Sequence, residues 1–352
     1  MNLMTDTAKP AQPPKSSSAK SFIDNAGEAD YAAKIRAIAE RLRSWSGPVV
    51  LISHTDPDGD ALGSSLALKR ALTSLGKTTT LPLDAPRFLR FLVTEAELSA
   101  PLETLPENCL LAVLDVEIGP RATGAPLDGA ALTLNIDHHG SNPRTGDLSC
   151  VEPGKAATAQ MVKDIIDALG VAWTPELATP CLTGIVSDTG NFRYSNTNES
   201  VLADAAELMA AGVDYAELTD RLQWRDPKYF VMLGKVMSTV TFAFDGRAVL
   251  AHVTPQMKAE VGELDDDSND YVGLIRYAEG TKVAAFLKEG EGYTKLSVRT
   301  RDGVSAQNIC HALGGGGHVN AAGAKLNVQL AQAREKVLAA IKAELDRVTA
   351  NT

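Results

Sequence analysis

The sequence predicts an α/β protein in which a parallel sheet flanked by helices precedes a smaller α+β domain. Three observations support this fold class. Short apolar, β-branched runs alternate with helical patterns over the first two thirds of the chain. A helical stretch follows from about 215 to 240, and after residue 244 strand-like runs succeed one another without regular helices between them.

The first region begins with a helical pattern over 31–45, which Gly47 and Pro48 end. The run VVLIS at 49–53 is typical of a buried parallel strand, and 59–76 reads as a helix that Gly76 ends. Alternation of strands and helices then predicts one parallel sheet. The remaining expected strands are 78–83, 110–116 and 132–139, and the remaining expected helices are 156–169, 176–187 and 199–211.

The second region contains three further strand patterns, a glycine-rich loop and a closing helix. The strands are expected at 247–254, 281–289 and 293–301, the loop at 314–324 and the helix at 328–349. A tail over 1–24, rich in Pro, Ser, Lys and Ala, is expected to be disordered. The predicted divisions are therefore a tail 1–24, a domain 25–222, a helical linker 223–243 and a domain 244–352.

Composition limits the possible partners of the protein. The 352 residues are 44% hydrophobic and 22% charged, with a formal net charge of −10, so no bulk attraction draws the chain to long duplex nucleic acid or to an anionic membrane. No apolar run approaches the ~20 residues of a spanning helix. Because the four cysteines lack metal-site spacing, reduced thiols and a cytoplasmic location are expected. The cysteines are Cys109, Cys150, Cys181 and Cys310.

Acidic and histidine side chains follow several of the predicted strands. A lone aspartate after a strand is often a helix cap or a turn former, but so many carboxylates together would repel one another unless cations neutralised them. Carboxylate and imidazole without thiolate suit Mn²⁺ or Mg²⁺, so a two-ion site is predicted. The candidates are His54, Asp58, Asp60, Asp115, Asp137, His138, His139 and Asp188.

A run of four glycines, 314–317, precedes His318. Taken alone it is either a flexible connector or a nest of backbone N–H groups that binds an anion. The nearby Arg299 favours the second interpretation, because a guanidinium suits bidentate contact with phosphate.

These segments resemble the motifs of a known family. HTDPDGDALGSS, the strand end at Asp115, DHHGSN and GIVSDTGNFR are similar to the four motifs of the DHH phosphoesterases, and GGGGHVNAAGA resembles their C-terminal DHHA1 domain. The resemblance covers roughly residues 45–326. Within the family the chain most resembles the NrnA type, bifunctional oligoribonucleases (nanoRNases) that also dephosphorylate adenosine 3′,5′-bisphosphate (pAp).

The resemblance implies a role for each candidate. His54 and Asp58 would hold one ion, Asp60 and His138 the other, Asp115 would bridge both, and Asp188 would ligate one or bridge. His139 would face the scissile phosphate and Asp137 would orient an imidazole. The chain departs from the family at Asp56, where Asn is common. The substrate's base and distal phosphate would be held by Arg299, Ser305, Gly315, Gly316, Gly317 and His318.

The implied activity is two-metal hydrolysis with Mn²⁺, and Mg²⁺ or Co²⁺ are the expected substitutes. Substrates would be RNA or DNA oligonucleotides of about two to five nucleotides and pAp, and the acidic charge of the chain agrees with short substrates. Two alternatives remain open: a phosphodiesterase for cyclic dinucleotides or pApA, and a nucleotide sensor without catalysis. The sequence allows a homodimer.

Overall fold

The computed structural model describes residues 25–262 and 270–350. The chain divides into two compact units between Leu222 and Gln223. The predicted tail over 1–24 lies outside the described residues.

The first unit is built on a parallel sheet. Its strand order is β2-β1-β3-β5-β6, and a short strand β4 pairs antiparallel with the end of β1. The central strands are buried along almost their whole length: helices pack on one face of the sheet, and residues of irregular segments such as Leu105 and Leu127 cover the other. The strands are β1 (Val49–His54), β2 (Thr79–Thr80), β3 (Leu110–Leu114), β4 (Ala122–Thr123), β5 (Leu132–Asp137) and β6 (Leu148–Val151).

Six α-helices and one 3-10 helix accompany this sheet. Three of them pack at close range: a Cβ added to Gly184 would lie 2.6 Å from the Ala159 Cβ of a second helix and 2.7 Å from Asp60 Oδ1 of a third. Glycine at 184 therefore lets the helices that carry candidate ligands approach one another. The helices are α1 (Asn25–Ser44), α2 (Gly59–Ser74), the 3-10 helix (Arg87–Leu92), α3 (Thr158–Leu169), α4 (Pro175–Asp188), α5 (Glu199–Ala210) and α6 (Tyr215–Gln223).

The second unit is built on a mixed sheet with strand order β11-β12-β10-β9-β8-β7. Strands β8 and β9 are parallel, and the other described pairs are antiparallel. The elements are α7 (Pro227–Met237), β7 (Thr241–Ala243), β8 (Ala248–Val253), α8 (Pro255–Val261), α9 (Asp270–Ile275), β9 (Val283–Glu289), β10 (Thr294–Thr300), α10 (Ala306–His311), β11 (Gly316–Gly317), β12 (Ala321–Leu326) and α11 (Leu330–Ala350).

Each face of the second sheet has its own apolar core. Met232 of α7 and Tyr271 of α9 pack with Phe286 on one face, whereas Val298 packs with Val337 of α11 on the other. The segment predicted as a linker, 223–243, thus contains a helix that packs on this sheet and one of its strands, β7.

The fold class is confirmed, but some elements differ from the prediction. The predicted loop 314–324 is wrong in part, because it contains β11 and the start of β12. A cross-strand partner holds these glycine- and alanine-rich residues extended despite their low strand propensity. The expected strand 78–83 shortens to Thr79–Thr80, and β6 and α10 were not predicted.

Candidate metal centre

The first group of candidate ligands follows β1. His54 is the last residue of that strand, and Asp58 caps α2: its Oδ1 accepts hydrogen bonds from the N–H groups of Asp60 at 3.0 Å and Ala61 at 3.1 Å. The cap begins the helix and places Asp60 in its first turn. The Asp60 carboxylate is itself fully buried, and the N–H groups of Thr158 (2.6 Å) and Ala159 (2.8 Å) donate to its two oxygens.

Asp115 follows β3, at the same edge of the sheet. Its φ of +61° turns the chain out of the strand, and its N–H donates to the Ile136 carbonyl at 2.9 Å. Aspartate tolerates this left-handed conformation better than most residues do. The side chain is 2% exposed, so the carboxylate is held inside the protein.

The next strand, β5, ends at Asp137 and leads into His138 and His139. Asp137 is buried: one carboxylate oxygen lies 2.7 Å from His139 Nδ1, and the other accepts from Asn142 Nδ2 at 2.6 Å. Burial alone would raise the pKa of Asp137, but these hydrogen bonds outweigh it and lower the pKa. Asp137 therefore fixes the orientation of the His139 ring.

Seven side chains converge at this edge of the sheet. His54 Nε2 lies 3.5 Å from Asp115 Oδ2 and 3.8 Å from Asp58 Oδ1. His138 Nε2 lies 3.5 Å from Asp115 Oδ1, 3.9 Å from Asp60 Oδ2 and 3.3 Å from Asp188 Oδ2 at the end of α4. The acid–imidazole cluster, as we call it, consists of His54, Asp58, Asp60, Asp115, His138, His139 and Asp188.

The cluster divides into three overlapping groups, in each of which the potential ligand atoms lie within 4.8 Å of one another. Asp115 belongs to two groups and His138 to two, so these residues lie between the others. All six predicted ligands, together with His139, are thus close in space. The groups are His54–Asp58–Asp115, Asp60–His138–Asp188 and Asp115–His138–His139.

The histidines and aspartates of the cluster shift one another's pKa values. Burial lowers the pKa of His54, but contacts with Asp115 and Asp58 outweigh it and raise the pKa to about 10. The pKa of His138 rises to about 9 for the same reasons, with Asp188 and Asp115 as the acids. Burial and neighbouring carboxylates raise the pKa of Asp60, and they raise that of Asp188 to about 6. Without a metal ion, protonated imidazoles offset part of the carboxylate charge, and a divalent cation would displace those protons.

The donor set fits a divalent cation. The buried His138 Nε2 makes no hydrogen bond within the described part of the chain, although three carboxylates surround it. A buried ring nitrogen without a hydrogen bond is costly unless something else occupies its lone pair. Carboxylate oxygens and imidazole nitrogens without thiolate match manganese or magnesium.

Thr158, which no sequence pattern indicated, connects two of the carboxylates. Its backbone N–H donates to Asp60 Oδ2, and its hydroxyl donates to Asp115 Oδ1 at 2.9 Å. The residue is fully buried at the beginning of α3. A threonine at a helix N-terminus ordinarily indicates only a cap, so the sequence carried no signal for this second role.

The predicted substrate-binding residues lie in the second unit. Arg299 is on β10 and half-buried, and His318 is exposed between β11 and β12. Ser305 is buried and caps α10: its Oγ accepts from the Asn308 N–H at 3.1 Å. A Cβ on Gly315 would lie 2.2 Å from the Gly323 carbonyl oxygen, so close packing requires glycine there. The N–H groups of Gly315 and His318 donate to carbonyls of the chain, so these two groups do not contribute to the expected anion nest.

The fold and the cluster define an α/β protein with a candidate divalent-metal centre at the carboxyl edge of a parallel sheet. The model for the N-terminal domain of the DHH family matches residues 48–185, and the DHHA1 domain model matches residues 256–347. The chain therefore belongs to the DHH family of phosphoesterases, which are hydrolases, and carries a DHHA1 domain.

Similar proteins agree with this assignment. The bifunctional oligoribonuclease and PAP phosphatase NrnA of Thermus thermophilus is 55% identical over 92% of this chain and 98% of its own length. The Bacillus subtilis protein of that name is 25% identical over 79% of this chain and 89% of its own length.

Two solved structures share the fold. An exopolyphosphatase-related protein from Bacteroides fragilis has a TM-score of 0.80 at 22% identity, over 88% of this chain and 96% of its own. RecJ from Thermus thermophilus in complex with Mn²⁺ has a TM-score of 0.51 at 16% identity, over 90% of this chain and 55% of its own. Among the described residues, no helix is both long and apolar enough to cross a membrane.

Proposed function

We propose that the protein hydrolyses short oligonucleotides to mononucleotides and removes the 3′-phosphate of pAp. The acid–imidazole cluster is the observation that carries this proposal, because it brings together carboxylate and imidazole ligands for catalytic cations. The substrates follow from the two activities for which the 55% identical Thermus protein is named, and this chain covers that protein almost entirely. The short length of the substrates agrees with the net charge of −10.

We propose two ions, with Mn²⁺ as the preferred metal and Mg²⁺ or Co²⁺ as substitutes. His54 and Asp58 would hold one ion and Asp60, His138 and Asp188 the other, and Asp115 would bridge them. The three overlapping groups support this division. Manganese in RecJ, a protein of similar fold, supports the choice of metal.

Such ions would neutralise charge on the phosphoryl oxygens and activate water for in-line attack. The chain's own residues would orient the reaction. Because Asp137 accepts the Nδ1 proton of His139, the ring presents Nε2 as the atom that would protonate the leaving oxygen. Asp137 and the nearby carboxylate of Asp115 raise the pKa of His139, which favours the protonated acid form. Arg299, His318 and the glycines Gly315, Gly316 and Gly317 would hold the rest of the substrate. The hydroxyl of Ser305 is engaged as the cap of α10, so any contact of Ser305 with the substrate would add little to binding.

A cyclic-dinucleotide phosphodiesterase is the second candidate function. The cyclic-di-AMP phosphodiesterase GdpP of Geobacillus thermodenitrificans is 28% identical over 88% of this chain, but this chain covers only half of that protein. A silent nucleotide sensor is disfavoured, because all six predicted ligands lie together. The cytoplasmic location and the homodimer stay predictions.

The direct test is hydrolysis of pAp, the dinucleotide ApA, cyclic di-AMP and a long single strand by the purified protein. We expect rapid turnover of the first two, and inactivation by a chelator that Mn²⁺ reverses better than Ca²⁺, since imidazole ligands disfavour a large oxygen-seeking ion. Undiminished hydrolysis in excess chelator would contradict the metal mechanism. Faster turnover of cyclic di-AMP than of ApA would favour the second candidate.

A further inference from the structure

Two buried asparagines lie beside the acid–imidazole cluster, and neither belongs to the site residues predicted from the sequence. Asn135 is on β5 and fully buried. Asn142 is 3% exposed, and its backbone N–H donates to the His139 carbonyl at 3.1 Å. We call these two residues the asparagine pair. Burial of an amide costs free energy unless its atoms are hydrogen-bonded, so the partners of the pair indicate what it does.

The position of the pair follows from the alternation of side chains along β5. Leu134 and Ile136 pack in the helix-covered core on one face of the sheet. Alternation places Asn135 and Asp137 together on the opposite face. A single amide therefore reaches both: Asn142 Nδ2 donates to Asn135 Oδ1 at 2.8 Å and to Asp137 Oδ2 at 2.6 Å.

Every nitrogen and oxygen of the two side-chain amides has a hydrogen-bond partner. Asn135 Nδ2 donates to the carbonyls of Val113 at 3.1 Å and Val116 at 2.8 Å. Asn142 Oδ1 accepts from the Arg144 N–H at 2.8 Å. Because each Nδ2 faces only oxygen acceptors, a half-turn of either amide would bring oxygen against oxygen. A buried network in which every atom has a partner holds one arrangement rigidly.

The pair connects two parts of the candidate site. At one end, Asn135 holds carbonyls on both sides of Asp115, whose φ of +61° turns the chain out of β3. At the other end, Asn142 engages one oxygen of Asp137. The second oxygen, Oδ1, lies 2.7 Å from His139 Nδ1 and accepts the backbone N–H of the same residue at 3.0 Å. The carboxylate is thus held at both oxygens, so it cannot rotate and release the imidazole without breaking a hydrogen bond.

We propose that Asn142, supported by Asn135, is a positioning residue for protonation of the leaving oxygen, and that it acts through Asp137 on the His139 ring. The inference rests on the proposed function, in which water attacks phosphorus and the bond from phosphorus to the leaving oxygen breaks. The leaving oxygen takes the electron pair of that bond and the proton of His139 Nε2, which leaves the ring neutral. Orientation matters for this step, because a misplacement of about 1 Å costs on the order of a hundredfold in rate.

The kinetic test uses Asn142→Ser, in which the hydroxyl can still accept the Arg144 N–H but is too short to reach Asp137. We expect kcat on the dinucleotide ApA to fall about ten- to a hundredfold at nearly constant KM. Hydrolysis of bis-p-nitrophenyl phosphate should change less than about threefold, because p-nitrophenolate leaves without a proton. Asn142→Asp keeps the shape of the side chain but places an oxygen against Asp137, so the same pattern with a larger loss is expected.

A double-mutant cycle tests whether Asn142 acts through His139. His139→Gln removes the acid, so Asn142→Ser should lower kcat on ApA by less than about threefold in that background. Asn198→Ala is the matched control, because it removes the asparagine that caps α5 in the same unit. It should leave both reactions unchanged. Parallel losses on ApA and bis-p-nitrophenyl phosphate in Asn142→Ser, or the same loss with and without His139, would make Asn142 a general support of the site and overturn the inference.

A spectroscopic measurement separates this inference from the proposed function. In the metal-free protein, the His139 Nδ1 proton that Asp137 accepts should give a downfield, slowly exchanging resonance, which His139→Gln removes. Asn142→Ser should broaden this resonance through exchange with water, and Asn198→Ala should not. This result is expected whether or not the wild type hydrolyses ApA, and failure of that hydrolysis alone would contradict the proposed function. Absence of the resonance from the wild type, or an unchanged resonance in Asn142→Ser, would overturn the positioning role.

Discussion

The two units present their charged side chains in opposite ways. In the first unit the central carboxylates of the acid–imidazole cluster are sealed inside the protein, with Asp60 fully buried and Asp115 2% exposed. In the second unit, by contrast, Arg276 and Arg299 are half-buried and Arg301 is exposed. One region carries buried negative charge, and the other carries accessible positive charge.

Hydrogen bonds hold the side chains of the first region more firmly than those of the second. Backbone N–H groups or a hydroxyl hold the carboxylates of Asp58, Asp60 and Asp115, so their positions are fixed before any ligand binds. Arg299 and Arg301 each donate to a backbone carbonyl and are positioned by long, rotatable stems. We therefore expect substitutions in the cluster to affect every substrate alike, and substitution of Arg299 in the second unit to discriminate among substrates.

The largest loss of hydrolytic activity is expected from Asp115→Asn. The amide removes one negative charge from the residue shared by two ligand groups, so hydrolysis of ApA, pAp and bis-p-nitrophenyl phosphate should fall at least about a thousandfold, or ~4 kcal/mol in the barrier. Asparagine tolerates the φ of +61° at this position, whereas alanine would add backbone strain to the loss of the ligand.

Steady-state kinetics and thermal unfolding of the metal-free protein check this prediction together. The unfolding midpoint should change little. Retention of more than about a tenth of wild-type turnover, ~1.4 kcal/mol, would contradict the assignment of Asp115 as a ligand.

Arg299→Ala tests whether the second unit contributes to substrate binding without affecting the metal chemistry. If Arg299 holds the part of the substrate away from the scissile bond, kcat/KM on dinucleotides should fall about ten- to a thousandfold, ~1.4–4 kcal/mol, through both KM and kcat. Slow hydrolysis of bis-p-nitrophenyl phosphate, which has no base or distal phosphate, should stay nearly constant. His138→Ala, in contrast, should reduce both reactions in parallel. Parallel losses in Arg299→Ala would remove the distinction between the two regions.

Thr158→Val tests whether the rigidity of the cluster matters. Valine keeps the shape and the backbone N–H that donates to Asp60, but it removes the hydroxyl that donates to Asp115. Loss of such an outer contact costs about ten- to a hundredfold in metal affinity. Calorimetric titration with Mn²⁺ should show this loss, and Thr158→Ser should restore the affinity. Wild-type affinity in the valine variant would mean that Asp115 is held by its backbone alone.

The site residues that could be predicted from the sequence follow segments whose residue pattern clearly indicates a buried strand. Runs such as VVLIS, LLAVL and LTLNI are long enough in apolar, β-branched residues to indicate buried parallel strands, and parallel strands end at one edge. His54, Asp115 and His138 were therefore expected to meet. Asp188 is the last residue of a helix instead, and the break that follows the apolar segment 181–187 in the sequence brought it into the set.

The parts that were missed depend on contacts distant in sequence. Thr158 touches Asp115 across 43 positions of the chain, and no local pattern encodes that contact. Strand β11 consists of two glycines, Gly316 and Gly317. It forms because these residues pair with β12, which in turn pairs with β10. Tertiary pairing overrides the weak strand propensity of glycine there. The hydrogen bond from the Arg301 guanidinium to the Arg276 carbonyl likewise joins residues 25 positions apart.

The smallest effect is expected from Ser305→Ala, and it tests the second region alone. The Ser305 hydroxyl oxygen already accepts the Asn308 N–H as the cap of α10, so its removal should lower the free energy of unfolding by about 1 kcal/mol. The backbone N–H of Ser305, which donates to Glu344 Oε1 at 2.8 Å, remains in the variant and should keep the helix anchored on α11. Because the hydroxyl is engaged in the cap, kcat/KM on dinucleotides should fall by less than about threefold, ~0.6 kcal/mol. Denaturant unfolding and kinetics on the same preparation measure both quantities. A tenfold loss of kcat/KM at unchanged stability would instead make Ser305 a substrate ligand, and it would extend the accessible, substrate-reading surface from β10 to the beginning of α10.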